Sequence, residues 1–384
     1  MLLMQQMLPH FSACAWREQN WTVAQHVPAC PSCPVVLIPR QALVGDRLWC
    51  LFPVLAGKQS RRWEAGMGGQ EEDLGGADPD LCPCPSGGVS GCTLNPGEGG
   101  GRSARPRCLR FGPRQIRAES AMVRRYNAST GAAPFDSLQV ADIGDVNVNL
   151  YNLPDSCRFI RESYQKIVAS GCVPLTLGGD HTITYPILQA VAEKHGPVGL
   201  VHVDAHTDTG DRALGEKIYH GTPFRRCVEE GLLDCSRVVQ IGIRGSSYDP
   251  DPYQYCREQG FRVVLAEECW LKSLGPLMEE VRKQMGEQPV YITFDIDGLD
   301  PAYAPGTGTP EVAGLTPAQA LEIIRGCKGL NLVGCDLVEV APMYDVSGNT
   351  ALLAANLLFE MLCALPRVQT VRGQLPPAPG ATRL

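Results

Sequence analysis

The chain has 384 residues, 44% of them hydrophobic, and a formal net charge of −7. That length holds one large domain plus additional segments, and that apolar fraction is enough for a core. The acidic balance gives no electrostatic reason to expect nucleic acid as a partner.

Residues 1–65 contain short apolar pieces, Pro34-Val35-Val36-Leu37-Ile38 and Leu48-Trp49-Cys50-Leu51-Phe52 among them. Neither approaches the roughly 20 apolar residues of a membrane span, so no membrane association is expected. Met1-Leu2-Leu3-Met4 lacks the basic start of a secretory signal, and the Arg- and Ser-rich pattern of a transit peptide is absent too. Residues 66–107 are rich in Gly and Pro without apolar periodicity. Residues 1–108 are therefore expected to be an atypical, largely disordered N-terminal region. The 17 cysteines are an odd number spread over a long chain, which argues for a soluble intracellular protein rather than a disulfide scaffold. Cys30-Pro31-Ser32-Cys33 is a CxxC without a second CxxC or a surrounding βαβ unit, and Asn127-Ala128-Ser129 is a sequon that matters only in a secreted chain.

From Phe111 onward strands and helices alternate. Gly112-Pro113 opens a helix over 114–125, residues 138–143 read as a strand, and Asp155 is placed to cap a helix running to 170. A strand over 173–177 and a helix through 190–192 follow, then a strand into Val201 to Val203. Further strands are expected at 237–243, 261–265, 289–295 and 331–339, with helices at 274–285, 317–327 and 350–365. Regular alternation predicts an α/β fold with a largely parallel sheet covered on both faces. Its domain spans 109–371, and a Pro-rich tail covers 372–384.

Three predicted strand ends carry ligand-type side chains. Gly178-Gly179-Asp180-His181 follows the first, Asp204-Ala205-His206-Thr207-Asp208 the second, and Asp295-Ile296-Asp297 ends the third. Alternation along an extended chain predicts that Asp204, His206 and Asp208 converge on one side. Parallel sheets bind ligands at the carboxyl ends of their strands, where all of these residues lie. A carboxylate-dominated shell with two imidazoles suits a fairly hard divalent ion such as Mn2+ better than zinc.

These three motifs, in this order, resemble the ureohydrolase (arginase/agmatinase) family over roughly residues 111–371, with details closest to agmatinase-like guanidino hydrolases of animals. The resemblance implies a three-layer αβα arginase-like fold and two Mn2+ ions. His181 and Asp208 would hold the first, His206 and Asp297 the second, with Asp204 and Asp295 bridging. Asp208 would also help hold the tetrahedral intermediate. The reaction implied is cleavage of a linear guanidino compound, agmatine to putrescine foremost, to urea and an amine. His220, in Tyr219-His220-Gly221, matches the family's proton-shuttle histidine, and Glu339 matches the carboxylate that clamps the guanidinium. A small-molecule substrate, a trimeric or hexameric homo-oligomer and a mitochondrial address are further implications, with the cytosol as the alternative address.

The loop from Thr209 to Lys217 is expected to read the substrate's far end. It carries both signs: Asp211 or Glu216 would receive an ammonium group, Arg212 or Lys217 the carboxylate of an acid such as 4-guanidinobutyrate. Arg244, at another strand end, is read as lining the site rim, with a structural ion pair as the alternative, and His202 as a structural residue on the strand face opposite the ligands. The family's opening strand and glycine-rich turn are not found before Phe111, and Val35 to Pro39 could replace them only across a gap of some 70 residues. A non-catalytic metal-binding variant that lacks this strand is therefore a second reading. A single-zinc deacylase would need neither the second His nor the second bridging acid.

Overall fold

Six successive βα units, from the strand Leu175–Leu177 to the last helix, pack their strands side by side because the central strands are too apolar to face water on either side. The computed structural model describes residues 52–53, 109–213, 215–247 and 249–371. The strands are β1 (Phe52–Pro53), β2 (Leu175–Leu177), β3 (Val198–Val203), β4 (Leu233–Ile243), β5 (Arg262–Leu265), β6 (Pro289–Asp295) and β7 (Asn331–Val338). They form one parallel sheet in the order β1-β2-β7-β6-β3-β4-β5. The helices are α1 (Gly112–Glu119), α2 (Pro134–Ser137), α3 (Leu153–Ala169), α4 (Thr184–His195) and α5 (Pro223–Glu229), followed by α6 (Gln254–Gln259), α7 (Ala266–Cys269), α8 (Gly275–Met285), α9 (Pro317–Gly326) and α10 (Asn349–Ala364).

Two apolar cores lie one on each face of the sheet. Val201, Val203, Ile292, Phe294 and Leu337 pack with residues of α1 and of α8, α9 and α10. Leu200, Val238 and Tyr291 face the other way, onto α3, α4 and α5. Neighbouring strand residues thus belong to opposite cores, as the pleat requires, and the result is the expected three-layer arrangement.

Three local expectations need correction. Residues 138–143 form no strand. Val140 and Ala141 are buried, but Asp142 accepts two hydrogen bonds from Arg117, at 2.7 Å each, and one from the Gly144 N–H, which curls the segment into a loop. The cap of α3 is Asn152, whose side chain accepts from the Asp155 N–H at 3.0 Å; Asp155 sits in the first turn, where an anion suits the helix dipole. The edge beside β2, expected to lack a strand, is paired by Phe52–Pro53.

The readings of residues 1–51, of 54–108 and of the tail from 372 lie outside the described residues, Cys30 and Cys33 included. The nine described cysteines are free thiols. Asn127 is buried and donates through Nδ2 to Glu360 at 2.8 Å, so its sequon nitrogen is committed to the fold. No helix among the described residues is long and apolar enough to cross a membrane.

Candidate metal centre

Because the sheet is parallel, the carboxyl ends of β2, β7, β6 and β3 lie next to one another along one edge. All six predicted ligands meet there. The Nδ1 atom of His181 faces Asp204 Oδ2 at 3.1 Å, Asp208 Oδ2 at 3.0 Å and Asp295 Oδ2 at 3.3 Å. His206 Nδ1 faces Asp297 Oδ2 at 3.2 Å and Asp204 Oδ1 at 3.4 Å. Asp204 is therefore shared between two nests of donors, as a bridging carboxylate is. Backbone N–H groups hold the carboxylates in place: His206 N–H donates to Asp204 Oδ1, Asp297 N–H to Asp295 Oδ1 and Ala205 N–H to Asp297 Oδ1.

The convergence does not arise by simple strand alternation, since β3 ends at Val203. Asp208 reaches the others by adopting φ of 50°, and Glu339 sits at φ of 66°. Side chains other than glycine rarely take this left-handed conformation, and it concentrates at sites where geometry is held by the surroundings. Gly298 permits close approach at the same place, because a Cβ there would come within 3.0 Å of the Asp204 backbone nitrogen.

Electrostatics point to bound cations. Burial first, and then the charges of Asp297 and Asp204, push Asp295 well above the ordinary carboxylate range. Burial and the Asp204 charge likewise raise Asp208. Burial alone would lower His181, but Asp204, Asp208 and Asp295 outweigh it and raise it. So many carboxylates cannot all ionise together in a buried site without positive charge among them. The donor set fits that role: His181 Nδ1 is buried, makes no hydrogen bond, and aims at three carboxylate oxygens. A cation bound there takes the lone pair that the protein leaves unused.

The other nitrogen of His181 is tied back into the sheet. Its Nε2 lies 2.9 Å from Thr293 Oγ1, which donates to Asp336 Oδ1 at 2.6 Å. Thr184 and Tyr291 also donate to Asp336, at 2.8 and 2.9 Å. Burial above all raises Asp336, while the His181 charge and these hydroxyls oppose it.

The remaining expectations divide. Glu339 is buried, and its Oε1 accepts from the His181 backbone N–H at 2.9 Å, so it stands beside the first nest. The loop that carries His220 is stitched to the ligand loop by Gly210 N–H to Gly221 O at 2.9 Å and by Phe224 N–H to Asp208 O at 3.2 Å. His220 itself packs edge-on against Tyr219. Asp211 is already engaged, by Arg226 at 3.0 Å, Arg212 at 3.1 Å and Arg225 at 3.6 Å, and these guanidiniums, Arg226 foremost, hold it below the ordinary range. Arg212, Glu216 and Lys217 are exposed.

Two readings are overturned. Arg244 neither lines a rim nor forms an ion pair: its guanidinium donates to the backbone carbonyls of Asp297, Gly298, Leu299, Glu311, Val312 and Gly242, clamping the end of β4 to two loops. His202 lies on the same side as Asp204, with its Nε2 2.7 Å from Asp204 Oδ2. Two residues apart at the end of a strand is the spacing that puts side chains on one face, so the signal was present. Sequence reading also missed Thr309, which donates to Asp297 Oδ2 at 3.2 Å, and Glu311, 3.8 Å from His206 Nε2.

Comparison with known proteins places the chain in a family. The Arginase family model matches residues 97–363. The chain belongs to the arginase family. A protein of Gallus gallus named agmatinase, mitochondrial, is 87% identical over 271 residues, covering 71% of this chain and 79% of that protein. The Homo sapiens guanidino acid hydrolase, mitochondrial, is 78% identical over 271 residues, covering 71% of this chain and 77% of its own length. The solved structure of proclavaminate amidino hydrolase from Streptomyces clavuligerus is 39% identical, with a TM-score of 0.64 over 69% of this chain and 89% of that one. This arginase-family chain is accordingly a ureohydrolase of a family that depends on two metal ions, and its His and Asp side chains form groups that could hold a metal.

Proposed function

We propose that the centre binds two Mn2+ ions and hydrolyses a linear guanidino acid to urea and an amino acid. The observation that carries the metal reading is the buried Nδ1 of His181 aimed at Asp204, Asp208 and Asp295. His181, Asp204, Asp208 and Asp295 would hold one ion, and His206, Asp204, Asp295 and Asp297 the other. Two such cations acidify water and so supply a nucleophile near neutral pH. The protein's own groups do the rest. Glu339 accepts N–H bonds from the guanidinium and orients its carbon. Asp208 supports the tetrahedral intermediate, and His220 delivers a proton to the leaving amine.

A carboxylate tail is favoured because the one acid at the start of the entrance loop, Asp211, is shared among three arginines, one of which, Arg212, is exposed. Positive charge in excess there attracts an anion rather than an ammonium group. The name of the human relative agrees. Agmatine is the second reading, supported by the exposed Glu216 and by the name of the Gallus gallus relative. The same two names support a mitochondrial address. A homo-oligomer, trimer or hexamer, is supported by the exposed Trp270, Leu271 and Val312, brought together by the bond from Trp270 Nε1 to the Ala313 carbonyl.

The test is urea release by Mn2+-loaded protein offered 4-guanidinobutyrate, agmatine and arginine in parallel, with Asp204→Asn as the blank. Fastest turnover of the guanidino acid is expected; faster turnover of agmatine would replace the tail assignment, and no urea from any of them would sink the hydrolytic reading.

A further inference from the structure

A row of polar side chains crosses the sheet at a single level of register. Thr176 pairs with Asp336, Asp336 with Thr293, Thr293 with His202, and His202 with Gln240. Each is fully buried and flanked by apolar neighbours in its own strand. Five polar groups in such a place are costly unless they are hydrogen-bonded: Thr176 bonds Tyr164 of α3, whereas Asp336 bonds Thr293, His202 bonds Gln240, and Thr293 and His202 reach His181 and Asp204 just past the strand ends.

The direction of each bond follows from donor and acceptor counting. At the β4 end, Gln240 Nε2 bonds the Thr207 carbonyl at 2.7 Å and His202 Nδ1 at 2.9 Å. A carbonyl only accepts, so the amide nitrogen must face Thr207, and the same nitrogen then donates to His202 Nδ1. Cys256 Sγ donates to the amide oxygen at 3.3 Å, consistent with that orientation. With Nδ1 accepting, the neutral imidazole carries its proton on Nε2 and donates it to Asp204 Oδ2 at 2.7 Å. At the β7 end, Thr293 gives its hydroxyl proton to Asp336, so its oxygen accepts from His181 Nε2. That leaves the His181 Nδ1 lone pair facing the carboxylates. Phe224 packs on both rings, 4.3 Å from His202 and 5.2 Å from His181 between centroids, and screens them from water.

We propose that four members of this row form a positioning layer for the metal centre: Asp336, through Thr293, keeps the His181 proton away from the metal, and Gln240 sets His202 to tether the shared carboxylate Asp204. The inference rests on the metal-centre reading above. Groups behind metal ligands typically change metal affinity by about 10–100-fold when removed.

The test titrates Mn2+ into metal-free full-length protein, reading free Mn2+ by its electron paramagnetic resonance signal and melting each metal-free variant alongside. Thr293→Val and Gln240→Met keep volume and remove the bonds; His202→Phe removes the tether, and His202→Gln restores an N–H donor. Wild type is expected to bind two ions per chain, the first three variants to bind about 10–100-fold more weakly, and His202→Gln to recover part of the loss. Packing alone would lower melting temperatures and leave Mn2+ affinity unchanged. Wild-type affinity in Thr293→Val and Gln240→Met, or His202→Gln no tighter than His202→Phe, overturns the layer while the centre stands. Failure of wild type to bind the pair overturns the centre and the layer with it. Melting identifies any variant that does not fold, and the remaining ones decide.

Discussion

Asp204 accepts on both oxygens, from the His206 N–H at 2.7 Å and from His202 at 2.7 Å, while facing both metal-directed imidazoles. Asp204→Asn removes the shared negative charge and places an N–H₂ where a cation belongs. Loss of at least one Mn2+ per chain and a fall in urea release of about 10³-fold or more are expected; a variant that retains two ions by elemental analysis would sink the bridging role. Gly245 makes a finer test. A Cβ there would lie 2.5 Å from His206 Cδ2, so Gly245→Ala must displace the ring. Mn2+ affinity is expected to drop about tenfold with little change in melting temperature, and unchanged titration would show that the ring has room to move. The convergence of the six proposed ligands was legible because each stands at the end of an apolar run in a short motif. His202 was misread although its spacing to Asp204 was visible, and the pairing of Gln240 with His202 needs the strand register, which no local pattern contains.

Elements were read well wherever periodicity and caps agreed. The strand expected at 289–295 is Pro289–Asp295, and the helix expected at 317–327 is Pro317–Gly326, opened by a capping box between Thr316 and Gln319. Residues 138–143 failed for a tertiary reason, since the apolar run that reads as a strand is held in loop form by the Arg117–Asp142 pair. Arg244 failed likewise: six carbonyls from three chain segments meet at its guanidinium. Arg244→Met should therefore destabilise the fold by about 2–3 kcal/mol, as loss of charged hydrogen bonds does, and loosen the loops around 297–299 and 311–312. Denaturant unfolding and amide exchange of those loops would check this, and wild-type protection would refute the clamp. At α3, Asn152→Ala should cost about 1 kcal/mol through loss of the cap, read by the same unfolding midpoint.

At the scale of the whole molecule, the centre links metal binding to pH. Burial lowers His181 and His206, but the surrounding carboxylates outweigh it and raise both well above 6.5, and Asp295 is raised as well. Folded metal-free protein thus holds protons that the unfolded chain has released. For the two histidines that contribution to stability is complete below about pH 6.5, for Asp295 only below its unfolded value of 3.8, and it is lost as pH rises through the raised folded values. Asp204 is lowered and stays charged throughout this window. Metal binding requires the protons to leave, so it strengthens over the same range. The gap in melting temperature between Mn2+-loaded and metal-free protein should widen from about pH 6.5 upward, and a constant gap up to pH ~9 would contradict the linkage. The sequence by itself determined the alternation of strands and helices, the parallel sheet and the ligand types, because those follow from local periodicity and from residues a few positions apart. Only the tertiary structure decided the pairing of Phe52–Pro53 with β2, the capture of Asp211 by three arginines and the polar row behind the ligands. Those depend on which strands become neighbours and in what register, and that is settled by burial of both sheet faces at once.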